Sequence, residues 1–200
     1  MIPDGDLERN TDFVVSKREQ ITETTPADPA NSHRLWTGPE DANAKVRLRR
    51  TGKKIQLWIE VEDDVDHCPK RDSFLNNGDQ VRLWFFSKEA GMLKEFALVA
   101  PSAESAQIVS VSDGKSVSGT QLSRKRNGIK TVYDVLLPLS ALEITTEQLD
   151  KGGLRFEIAA ADDDGEGIDT WLHIGNDLPE KEKMQKANWI FFHNTKDNVK

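Results

Sequence analysis

The stretch IQLWIEVE, Ile55–Glu62, alternates apolar and polar residues with a period of two. Ile55, Leu57, Ile59 and Val61 fall on one side, and Gln56, Trp58, Glu60 and Glu62 on the other. Successive strand side chains point to opposite faces, so this is the pattern of a strand with one face in a core. QVRLWFF, Gln80–Phe86, repeats it with Val81, Leu83 and Phe85 inward and Gln80, Arg82, Trp84 and Phe86 outward. Lys45–Arg50 leads through Thr-Gly-Lys-Lys into Ile55–Glu62, which reads as a hairpin. Further strand candidates are Glu95–Ala100, Ala106–Ser112, Lys130–Pro138, Leu154–Ala161, Asp169–Gly175 and Asn188–Phe192, with one or two more in Asp12–Thr22.

Turn signals separate these segments: Thr-Gly, Asn-Asn-Gly-Asp, Asp-Gly-Lys, Asn-Gly, Gly-Gly and Asp-Gly-Glu-Gly. Many brief strands with regular turns and almost no helical period predict an all-β antiparallel sandwich. Short helices are expected around Ser140–Asp150 and within Leu178–Ala187. The 200 residues suit one domain, over 12–200, after a lead-in over 1–11.

Charge and motif content narrow the function. A net charge of -7 opposes nucleic acid and anionic lipid as partners, because both need a basic footprint. No run approaches the roughly 18 apolar residues of a membrane span. The polar N-terminus has no apolar core of a signal peptide. Cys68 is the single cysteine, so no internal disulfide forms. There is no nucleophile elbow and no glycine-rich phosphate loop. His33, His67, His173 and His193 form no ligand pair at helical spacing. Acidic pairs occur at Glu62-Asp63-Asp64, Asp66 and Asp162–Asp164, but acidic turns after strands are common, and no enzymatic activity is expected.

Two features could hold a ligand. The loop after Ala161 carries Asp162, Asp163, Asp164 and Glu166 around two glycines, a donor set suited to a hard cation such as structural calcium. It is not an EF-hand loop, since the twelfth position from Asp162 is His173. A solvated strand-to-strand turn is the alternative. The second feature is the outward face of the strands, where Trp58 sits with Gln56 and Glu60, and Trp84 with Arg82. Aromatic rings beside hydrogen-bonding groups suit sugars; they equally suit a covering loop or a neighbouring domain.

Five blocks in order resemble the family 9 carbohydrate-binding modules appended to bacterial secreted glycoside hydrolases. They are DPANSHRLWTGPEDANAKVRLRR (Asp28–Arg50), IQLWIEVEDDVDH (Ile55–His67), NNGDQVRLWF (Asn76–Phe85), KTVYDVLLPLSAL (Lys130–Leu142) and LRFEIAAADDDGEGIDTWLHIG (Leu154–Gly175). The resemblance implies a jelly-roll sandwich, no catalysis, structural calcium in some members, and sugar binding on one face. It implies an accessory domain of a larger secreted polysaccharide-degrading protein, extracellular or periplasmic, with a polysaccharide or oligosaccharide and neighbouring domains as partners. The sequence also departs from the family. The tryptophan expected before Gly78-Asp79 is replaced by Phe74 and Leu75, the acidic residue expected three positions after Asp79 is Arg82, and the arginine expected on the next strand falls near Ala97. The second clamping tryptophan is missing after Gly175, where Trp189 comes late. Sugar binding would then use another set, Trp58, Phe74, Arg82 and Trp84. The alternative is a structural or interdomain sandwich that has lost the sugar.

Overall fold

The computed structural model describes residues 11–15, 21–23, 42–68, 77–102, 105–163, 168, 170–173 and 189–190. In chain order the strands are β1 (Thr11–Val15), β2 (Ile21–Glu23), β3 (Ala42–Thr51), β4 (Lys54–Asp63), β5 (Gln80–Ser87), β6 (Met92–Ser102), β7 (Ser105–Ser110), β8 (Gln121–Asn127), β9 (Lys130–Pro138), β10 (Leu154–Asp162), β11 (Thr170–His173) and β12 (Trp189–Ile190). A 3-10 turn at Leu139–Leu142 and the helix α1 (Thr146–Gly152) join β9 to β10.

The strands form two antiparallel sheets. One has five strands in the order β1-β3-β4-β9-β8; the other has seven, in the order β2-β11-β10-β5-β6-β7, with β12 also paired to β10. The expected all-β sandwich is therefore what the chain builds. The hairpin read from Lys45–Arg50 and Ile55–Glu62 is β3–β4, and the segment read as Lys130–Pro138 is β9. The two-residue turn between β3 and β4 places Gly52 at φ 59°, a left-handed geometry that a side chain would strain.

The core lies between the sheets. Val46, Leu48, Ile55, Leu57, Ile59, Val135 and Leu137 come from one side, and Val81, Leu83, Phe85, Phe96, Leu98, Phe156 and Ile158 from the other. Phe85 stacks obliquely on Phe156 and Phe96, with ring centroids 5.1 and 6.2 Å apart. The inward sets predicted for β4 and β5 all fall in this cluster or pack against it.

The helix expected around Ser140–Asp150 is divided. Leu139–Leu142 winds as a 3-10 turn, Glu143 takes a left-handed φ of 53°, and α1 starts afresh at Thr146. Thr145 caps it: its Oγ1 accepts from Gln148 N (3.1 Å), and Gln148 Oε1 accepts from Thr145 N (2.8 Å). The helix expected within Leu178–Ala187 lies outside the described residues.

Strand β8, QLSRKRN, was not among the expected strands. Its inward row is Leu122, Arg124 and Arg126, so an apolar alternation is nearly absent. Tertiary partners explain it. The Arg124 guanidinium lies 6.0 Å from the Tyr133 ring centroid and pairs with Asp66; Arg126 Nη2 donates to the Asp63 carbonyl at 2.8 Å. As an edge strand it is also blunted by charge, which discourages pairing with another chain.

Candidate functional site

The three acidic residues that matter most are far apart in sequence. Asp63 ends β4, Asp79 precedes β5, and Asp162 ends β10. Strands β5 and β10 run antiparallel with Ala161 opposite Gln80, so Asp79 and Asp162 meet at one end of the seven-stranded sheet. Asp63 arrives from the five-stranded sheet. One carboxylate oxygen from each of the three lies within 4.8 Å of the others. Two oxygens on one calcium, each at about 2.4 Å, are separated by at most about 4.8 Å, so the three fit one coordination sphere.

Burial and like charge both act on Asp79. The Asp79 carboxyl is pushed up to about 9, first by burial and then by the negative charge of Asp63, although backbone N–H groups of His67 and Asp163 hydrogen-bond to it and pull the other way. Those bonds are 2.7 Å from His67 N and 3.1 Å from Asp163 N. A divalent cation would offset the like-charge part of that rise, while the larger part, from burial, would remain. Asp63 Oδ1 accepts from Val65 N (3.0 Å) in a turn that holds its carboxylate in place. A cleft at this end is lined by Asp63, Asp66, Asp79, Arg124, Arg126 and Tyr133.

The fold separates the acidic residues expected to share a cation. Asp162 joins the cluster, but Asp163 is turned the other way. It is fully buried, accepts from Gly78 N, and lies 3.1 Å from His67 Nδ1. Asp163 follows the last residue of β10, and its carboxylate oxygens are engaged by Gly78 N and His67. Asp164 and Glu166 lie outside the described residues. Asp63 and Asp79 were absent from the expected set. The signal for them was an aspartate at the end of one predicted strand and at the start of the next.

The expected sugar-binding residues are also sorted by the fold. Arg82 and Trp84 share the outer face of β5. Trp58 lies on the outer face of β4, in the other sheet. The two tryptophans face away from each other across the sandwich, so no single ligand contacts both. Phe74 lies outside the described residues.

The two outer faces differ in kind. On β5 the outward residues are buried like the inward ones: Gln80 is 1% exposed, Arg82 8% and Trp84 7%. Trp84 packs with Ala159, Phe86, Leu93 and Trp171 in a second apolar layer. Arg82 Nε donates to Gln80 Oε1 (2.7 Å) and Arg82 Nη1 to Glu95 Oε1 (2.9 Å). Burial pulls the Arg82 guanidinium down, and the Glu95 carboxylate opposes it. Arg82 stands opposite Ala97 in register, and Glu95 stands opposite Trp84. The positions that the family resemblance fills with an acid on β5 and an arginine on β6 therefore carry a basic residue and alanine, while Glu95 supplies the acid from β6.

On the five-stranded sheet the outer face is polar. Trp58 stands between Arg47 of β3 and Asp134 of β9. The Arg47 guanidinium lies 5.5 Å from its ring centroid. Arg49 Nε and Nη2 both donate to Gln56 Oε1 (2.8 and 2.6 Å), and Gln56 Nε2 donates to Asp134 Oδ1 (3.0 Å). Further along, Lys130 Nζ reaches Glu60 (2.9 Å) and Glu62 (3.0 Å), and Lys45 Nζ reaches Glu60 (3.3 Å).

No protein-family model matches the sequence, and no curated protein matches it either. Solved structures do. A family 9 carbohydrate-binding module from Caldicellulosiruptor kristjanssonii, solved in complex with cellotriose, superposes with a TM-score of 0.63 at 12% identity, over 95% of this chain and 86% of that one. A family 9 module from the same organism in complex with glucose gives 0.60 at 12% identity, over 89% and 94%. The chain has the fold of a family 9 carbohydrate-binding module. At such identity the likeness fixes the architecture and leaves the ligand to the side chains.

Proposed function

We propose that this chain is a non-catalytic carbohydrate-binding domain of a larger secreted polysaccharide-degrading protein, working outside the cytoplasm. The observation that carries the reading is the fold: nearly the whole chain superposes on modules solved with cellotriose and glucose. Glucose oligomers are the first ligands to try. Titration calorimetry with glucose and cellotriose, followed by a glycan array, tests it. Saturable binding without hydrolysis is the expected result; release of reducing sugar would overturn the non-catalytic assignment.

A second reading has its own observation. Arg82 and Trp84, on the outer face of β5, are 8% and 7% exposed, so that face is closed as it stands. A structural or interdomain sandwich that no longer binds sugar would look like this. Failure to bind any glycan on the array, with a cooperative thermal transition intact, selects this reading over the first.

The reading includes a structural calcium held by Asp63, Asp79 and Asp162. The mutual 4.8 Å reach of their oxygens supports it. Such an ion would tie the end of β4 to β5 and β10, fastening the two sheets together at that end.

A further inference from the structure

We infer that the outer face of the five-stranded sheet around Trp58 is a glycan platform, and that β-linked glucose oligomers lie across β3, β4 and β9 there. The inference rests on the reading that the chain binds saccharides, and says where.

The contrast between the two tryptophans on expected ligand residues carries it. Trp84 is 7% exposed and packed in a second apolar layer. Trp58 is half-buried on a face whose flanking residues Arg47 and Asp134 are exposed. Of the two rings, Trp58 is the more open: the Arg47 guanidinium 5.5 Å from its centroid belongs to an exposed side chain that swings aside without rearrangement of the fold.

The polar groups beside it are already ordered. Asp134 Oδ1 takes the Gln56 amide at 3.0 Å, and the same Gln56 is fixed from behind by both Arg49 bonds. That arrangement holds a carboxylate next to an aromatic ring on a rigid sheet, which lowers the entropy cost of binding. A β-linked glucose unit has equatorial hydroxyls and axial C–H bonds. It therefore offers a flat apolar face to the indole once Arg47 moves off the ring, and a hydroxyl rim to Asp134 and the displaced Arg47. The far half of the same face contrasts with this. There Lys45, Glu60, Glu62 and Lys130 saturate one another in a charge ladder without an aromatic ring among them.

The test is calorimetric titration of the full chain with cellohexaose, using wild type, Trp58→Ala and Asp134→Ala, with thermal melts as a folding control. Asp134 is exposed, so its variant keeps the fold even if the Trp58 variant does not. The expected result is that wild type binds, Trp58→Ala weakens binding about tenfold or more, and Asp134→Ala weakens it about threefold. Wild type binding with both folded variants unchanged would overturn the platform and leave saccharide binding standing, at another place. Absence of wild-type binding to cellohexaose and to every glycan on the array would overturn both.

Discussion

The outer faces of the two sheets are built from sequences of the same period and end in opposite environments. Strand β4 alternates between the core and a partly wet face, with Leu57 and Ile59 fully buried, Trp58 between them half-buried and only Glu60 of the outward row withdrawn. Strand β5 is buried on both sides, and its outward Gln80, Arg82 and Trp84 are withdrawn from water. The difference teaches that an alternating strand declares which face is apolar, but not whether its polar face stays wet. On β5 the outward polar groups satisfy one another through Gln80, Arg82 and Glu95; on β4 Glu60 is just as buried, but its partners Lys45 and Lys130 reach water.

The most damaging way to probe that contrast is a matched pair of tryptophan truncations. Trp84→Ala removes a ring from a packed layer and should cost about 3–5 kcal/mol in urea unfolding. Trp58→Ala, on the open face, should cost about 1 kcal/mol or less. Equal costs would dissolve the distinction between the faces.

Added calcium probes the acidic end where the sheets meet. Calcium at a hundredfold excess over its Kd should add about 2.7 kcal/mol to stability, seen as a raised Tm that a chelator reverses. Asp162→Asn should abolish most of that shift. A Tm indifferent to calcium in the wild type would mean that the three carboxylates serve no ion.

Arg82→Ala comes next, at about 2 kcal/mol. It leaves Gln80 Oε1 unpaired on a side chain whose Nε2 is already without a partner among the described residues. Glu95 is one-third exposed and loses less, because water screens it.

The smallest effect is expected on the open face. Asn43, and then Lys130, hydrogen-bond to the Glu62 carboxylate and hold it below its ordinary value. A lowered folded-state pKa stabilises above the unfolded value of about 4.3 and loses that contribution as pH falls through the lower one. Glu62→Gln should therefore cost less than about 1 kcal/mol at pH 7, less still in high salt, and nothing once acid has protonated the wild-type group. Urea melts at pH 7 and pH 3 check this.

Legibility varied with the kind of residue. The inward sets of β4 and β5 were readable because a core admits few residue types and the strand period is fixed. Strand β8 was not readable, because Arg124 and Arg126 point inward to partners on other segments, Asp66 and the Asp63 carbonyl. The cluster of Asp63, Asp79 and Asp162 was one-third readable. Asp162 stood out in an acidic run, while Asp63 and Asp79 come to it through β4 and β5.

The residues alone settled the all-β class and the inward face of each strand, because two-residue alternation between turn signals is a strand pattern. Only the tertiary structure decided that Trp58 and Trp84 lie on opposite outer faces, that Asp162 and Asp163 part company, and that three distant aspartates converge. The reason is physical: alternation is a local property of each strand, whereas sheet membership and the meeting of strand ends depend on which strands pair across the whole chain.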